Sequence, residues 1–92
     1  MSKLYESLQD INVLNEKRDK IKAKIADLTR QIVNYNTYIY HAKMNGNMPR
    51  VQLLTAELKE LKAEKETQTI KLHNTNEKLV IAYQSVGDYA RR

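Results

Sequence analysis

The sequence predicts an all-α protein: an antiparallel two-helix coiled-coil hairpin, expected to assemble further into a dimeric helical bundle. Three observations carry that expectation. Each half of the 92-residue chain holds an apolar seam with a seven-residue period, one cluster of turn-forming residues separates the halves, and apolar residues remain outside both seams. Sustained heptads are the pattern of helices that wind around one another.

Helix 1 is expected over about residues 3–44. Its inward a positions are Leu4, Ile11, Arg18, Ile25, Ile32 and Ile39, and its d positions are Ser7, Leu14, Ile21, Leu28, Tyr35 and Ala42. The turn is expected at 45–48, where Asn45-Gly46-Asn47 and Pro49 combine a glycine suited to the residue after a helix, an Asn suited to capping the next one, and a proline tolerated in its first turn. Helix 2 follows over about 49–89. Its a positions are Val51, Leu58, Lys65, Leu72, Leu79 and Val86, with Leu54, Leu61, Gln68, Thr75, Ala82 and Tyr89 at d.

Folding the chain at the turn matches residues whose numbers sum to roughly 93, so that each a position meets a d position. Ile39 then lies on Leu54, Tyr35 on Leu58, Ile32 on Leu61, Ile21 on Leu72, Leu14 on Leu79, Ile11 on Ala82 and Leu4 on Tyr89. Polar interruptions partly coincide, because Arg18 faces Thr75 and Asn15 faces Asn76. A layer of this kind can fix register at a cost in stability, whereas Lys65 is expected to lay its methylenes over the seam and send its charge to water.

A hairpin of this length is a rod whose core is one layer wide, with helices on the order of 60–65 Å long. Such a shape buries less surface than a compact domain, and association is the usual remedy. Val33, Tyr38, Tyr40 and Leu53 near the turn, and Tyr5, Leu8, Val13, Val80, Ile81 and Tyr83 near the termini, fall outside the seam. Leu8, Val80, Ile81 and Tyr83 are the expected self-association or partner surface, because Leu79-Val80-Ile81 with Tyr83 makes helix 2 apolar nearly all round.

Other classes fit poorly. Without cysteine there is no disulfide framework or thiolate chemistry, and the composition suits a reducing compartment, so cytoplasm is the expected location. The N-terminal segment lacks the apolar run of a signal peptide, and no segment is long and apolar enough for a bilayer, so no membrane association is expected. His41 and His73 fall at exposed heptad positions far apart along the rod. Carboxylates such as Glu57, Glu60, Glu64 and Glu66 stand at helical spacing from Lys59, Lys62 and Lys65, the arrangement of ordinary surface ion pairs. No phosphate loop, nucleophile motif or metal-ligand spacing occurs, so the chain is not expected to be an enzyme and no cofactor is implied.

Charge is patterned more sharply than the formal net value of +5 conveys. Lys17, Arg18, Lys20, Lys22 and Lys24, with Lys71 and Lys78 across from them, form a basic girdle at mid-rod. Antiparallel packing sets g positions against g positions, opposing Lys17 to Lys78 and Lys24 to Lys71, while Gln31 faces Glu64 and Tyr38 faces Glu57. Three functions suit this pattern. The first is a non-enzymatic interaction protein that binds another protein as adaptor, inhibitor or assembly factor, and that also self-associates. The alternative is a nucleic-acid-binding protein whose girdle meets phosphates. The last is a structural scaffold or spacer subunit.

Overall fold

A computed structural model describes residues 3–90 of the chain, with side chains from residue 4 to residue 88. Two helices account for nearly all of it: α1, Lys3–Met44, and α2, Met48–Ala90. They pack antiparallel along their length into a rod of 69 × 18 × 14 Å. Its radius of gyration is 20.4 Å, against about 12 Å for a compact domain of this length. The observed limits lie within a residue of those expected for both helices.

Composition explains why the helices run so far. Gly46, Pro49 and Gly87 are the chain's glycines and proline, so α1 contains no breaker and α2 meets its proline in the first turn, where it breaks no internal hydrogen bond. Threonines inside the helices satisfy their hydroxyls on the preceding turn, as in Thr29 Oγ1 to the Ile25 carbonyl at 2.8 Å and Thr75 Oγ1 to the Lys71 carbonyl at 2.8 Å.

The turn is built from two caps sharing one residue. Asn47 N–H donates to the Ala42 carbonyl at 2.9 Å and Gly46 N–H to the Lys43 carbonyl at 3.0 Å, the paired bonds that close a helix C-terminus around a left-handed residue. Gly46 is that residue, with φ at +69°. The Asn47 side chain then accepts from the Arg50 N–H at 3.3 Å, capping α2.

Burial follows the heptads closely. Every described a and d side chain is buried or half-buried except Leu4, which is 36 % exposed at the terminal end of the seam. The contiguous part of the core lies beside the turn, where Ile39, Ala42, Val51, Leu54 and Leu58 form one cluster with Ile32 and Tyr35 against it. Farther along, Leu28, Ile21, Leu79 and Ile11 are buried one to a layer, with Gln68 and Thr75 buried in layers between them. The expected partner of Leu4, Tyr89, lies outside the residues whose side chains are described.

The polar layer makes its hydrogen bonds within each helix. Arg18 does not bond across to Thr75; its guanidinium pairs with Asp19 of its own helix at 3.4 Å, while the Thr75 hydroxyl is satisfied by the Lys71 carbonyl. Arg18 thus lays its stem over the seam and sends its charge to the side, the behaviour expected of Lys65. Beside it the Asn15 Oδ1 is buried without a hydrogen-bond partner.

Candidate interaction surfaces

With the seam occupied, four helix positions face outward on two flanks. An antiparallel pair sets e against e on one side and g against g on the other, and b extends the first flank while c extends the second. Groove linings agree with this division. Asp10, Val13 and Leu14 of α1 share a groove with Lys78, Ile81 and Ser85 of α2, which puts g and c residues of both helices on one side. On the other side Ile32 meets Lys62, Lys65 and Thr69.

The e/b flank carries an apolar patch at the end of the rod that holds the termini. Leu8 and Tyr83, both at e, lie level with each other, and Tyr5 and Val80 at b extend the patch outward. Their exposures are 45 % for Leu8, 53 % for Tyr83, 55 % for Tyr5 and 54 % for Val80, so these large side chains remain about half open to water in the single chain. Gly87 follows one turn after Tyr83 and, lacking a side chain, leaves a shallow depression lined also by Val80, Gln84 and Asp88. Of the four residues expected to form one surface, three belong here. Ile81, at c, borders the patch: it lines one groove with Val80 and Glu77 and another, on the other flank, with Val13.

The g/c flank is striped with charge. At the terminal end stand Glu6 and Asp10, followed by the exposed pair Val13 and Ile81. The next stretch is basic, with Lys17, Lys20, Lys24, Lys71 and Lys78, and after it comes an acidic one with Asp27, Glu57, Glu60 and Glu64. Tyr38 and Leu53, 47 % and 59 % exposed, lead to Arg50 and His41 beside the turn. Five of the seven girdle residues therefore stand on this flank, while Lys22 at e faces the opposite flank and Arg18 belongs to the seam.

Two polar contacts tie the helices together on this flank. Lys24 Nζ lies 3.5 Å from Glu64 Oε1, so Lys24 turns toward the acidic block rather than standing against Lys71. Both partners are about half exposed, and such a pair contributes less than about 1 kcal/mol. Tyr35 hydroxyl donates to Glu57 Oε2 at 2.7 Å, where Tyr38 had been the expected neighbour of Glu57. The side chain of Tyr35 is long enough to begin in the seam at d and reach the flank with its hydroxyl. That hydrogen bond holds the Tyr35 phenol above the ordinary tyrosine range, with partial burial and the Glu57 charge adding to it. Tyr38 packs on Tyr35 at a ring separation of 6.0 Å.

The histidines are surface groups, His73 paired with Glu77 at 3.1 Å and His41 edge-on to Tyr40. Among the described residues no cluster of His, Asp and Glu is placed to hold a metal ion, and no helix is long and apolar enough to cross a membrane. No family model matches the chain, and no curated protein or solved structure is detectably similar to it.

Proposed function

We propose that the chain is a non-enzymatic interaction protein whose rod occupies a surface of another protein through the apolar patch of Tyr5, Leu8, Val80 and Tyr83. The observation that carries this reading is the grouping of four half-exposed large apolar side chains on one flank, next to the depression over Gly87. Interfaces draw their affinity from such central aromatic and aliphatic anchors, each of which gains roughly 1.5–3 kcal/mol when fully buried. The patch is flat and open, a shape suited to a facing protein surface rather than to chemistry on a small substrate. Self-association belongs to the same reading. A cysteine-free rod with no described helix long and apolar enough to cross a membrane suits the cytoplasm.

A photo-crosslinking residue placed at Gln84, beside the patch, tests the proposal in the cell that makes the protein. Covalent adducts with a protein are expected, and they should disappear when Val80 and Tyr83 are both changed to Ser. Adducts unchanged by that double substitution would place the contact elsewhere.

A second reading rests on the lysine stripe of the other flank. Lys17, Lys20, Lys24, Lys71 and Lys78 on one side could neutralise several phosphates, giving binding that weakens linearly with log salt. No exposed aromatic stands within that stripe to stack on bases, so protein contact remains the favoured reading.

A further inference from the structure

We propose that a second copy of this chain seats on the g/c flank, the two rods lying antiparallel and nearly full length around a two-fold axis that passes between Lys24 and Asp27 of α1 and near Thr67 of α2. This rests on the reading of the rod as a protein-binding surface, but on the flank opposite the patch assigned above. The argument is the order of the blocks. From the terminal end to the turn the flank runs acidic, apolar, basic, acidic, apolar, basic. Turned end for end, that order becomes basic, apolar, acidic, basic, apolar, acidic. Each acidic block then meets a basic one, and each apolar pair meets the other.

The match extends to single residues, because a two-fold operator fixes all the spacings once one pair is set. Placing Lys24 opposite the partner's Asp27 brings Val13 onto the partner's Tyr38 and Asp10 onto the partner's His41. Along α2 the same operator sets Lys71 against the partner's Glu64 and Lys78 against the partner's Glu57, and brings Ile81 to within one residue of the level of the partner's Leu53. No g or c residue of the described rod meets a like charge. The two apolar pairs stand on either side of the central charges, and all four side chains are between 47 % and 64 % exposed in the single chain.

Geometry permits the contact. The axis lies near the middle of the rod, so the copies overlap along most of the 69 Å length, and a face at least 14 Å wide offers on the order of 1,000 Å² to each partner. A standard interface needs about 800 Å². The flank is defined in the heptad frame, so it winds with the left-handed supercoil, and a second rod follows it by winding with the same hand. The Lys24–Glu64 and Tyr35–Glu57 contacts within one chain leave both carboxylates at the surface, half exposed in the case of Glu64. They can be shared with a neighbour. The product is a four-helix bundle in which α1 lies against α1 and α2 against α2.

Charge exchange tests this, read by sedimentation velocity with circular dichroism to check that every variant stays helical. The wild-type chain should be a dimer that weakens as salt rises. The variants Glu57→Lys with Glu64→Lys, and Lys71→Glu with Lys78→Glu, should each raise the dimer dissociation constant by about 100-fold or more, since like charges then face each other. Mixing the two variants should restore association, because every changed position meets an opposite charge. The second variant leaves Glu57 and Glu64 in place, so a folding defect in the first does not decide the outcome. The chain has no native cysteine, so Val13→Cys mixed with Tyr38→Cys should give an intermolecular disulfide, while Val13→Cys alone should give none. A monomeric wild type, a dimer indifferent to both charge variants, or a disulfide in Val13→Cys alone would overturn the proposal. If the charge variants remain dimeric but Val80→Ser with Tyr83→Ser does not, this flank is excluded while the apolar patch stands. Submicromolar binding of a generic RNA or DNA duplex at physiological salt, lost in the Lys71→Glu, Lys78→Glu variant, would assign the stripe to phosphate instead.

Discussion

At the scale of single residues, position in the heptad decides how much a side chain matters. Leu28 at d is 3 % exposed and Val33 at b is 57 % exposed, although only five residues separate them. Leu28→Ala removes buried contacts and leaves a cavity in a core one layer wide, so a loss of about 2–5 kcal/mol is expected in urea unfolding. Val33→Ser removes nothing packed and should stay within about 0.5 kcal/mol of wild type. Tyr35 combines both behaviours. Its ring packs against the turn-side core, and its hydroxyl is held by Glu57. The folded phenol has its pKa raised above the unfolded value, so whatever stability this contributes is fully present below about pH 10 and is lost as pH climbs through the folded value. Absorbance titration of the tyrosinate band should show one tyrosine ionising late, and Glu57→Gln should bring it back toward the others. A titration curve unchanged by that substitution would mean the hydrogen bond does not govern the phenol.

At the scale of elements, two helices of 42 and 43 residues depend on a junction of three residues. Gly46 has open space where a Cβ would stand, so the cost of Gly46→Ala is backbone strain at φ +69° rather than a clash. About 1–2 kcal/mol is expected. Asn47→Ala loses the α2 cap for about 1 kcal/mol. Because Asn47 also closes the end of α1 through its backbone N–H, the two losses should be less than additive in thermal melts of the double variant. This junction was legible in the sequence, since glycine and asparagine do there what their backbone preferences dictate. The seam was legible for a similar reason: a period of seven needs no knowledge of the partner. Contacts across the flanks were harder to read. Lys24 found Glu64 instead of opposing Lys71, Tyr35 displaced Tyr38 at Glu57, and Arg18 turned to Asp19, because long side chains choose among several partners within reach. Heptad letters fix where a side chain starts, not where its end settles. Ile81 follows Val80 by a step of about 100° around the helix, so this stretch is apolar nearly all round: Ile81 shares one groove with Val80 and another with Val13 on the other flank.

At the scale of the whole molecule, the balance between core and surface is the property that governs behaviour. A rod with a radius of gyration of 20.4 Å holds a single file of buried layers, and no described side chain is fully removed from water. Stability therefore accumulates layer by layer along the axis. The half nearest the turn has the contiguous cluster and should be the last to open, whereas the half bearing the termini contains Arg18, Asn15 and Leu4 at or beside the seam and should open first. Backbone amide exchange should show protection falling from the Ile39–Leu54 layer toward the Ile11–Ala82 layer. The same shape makes the mode of association readable from size alone. Two rods side by side lengthen the particle little and should raise the radius of gyration by only a few ångströms, whereas two rods joined end to end should roughly double it. Small-angle scattering across a concentration series distinguishes them. The expected result is a doubling of forward scattering with almost constant maximum dimension, and growth of that dimension toward twice 69 Å would show that the ends, not the flanks, bring copies together.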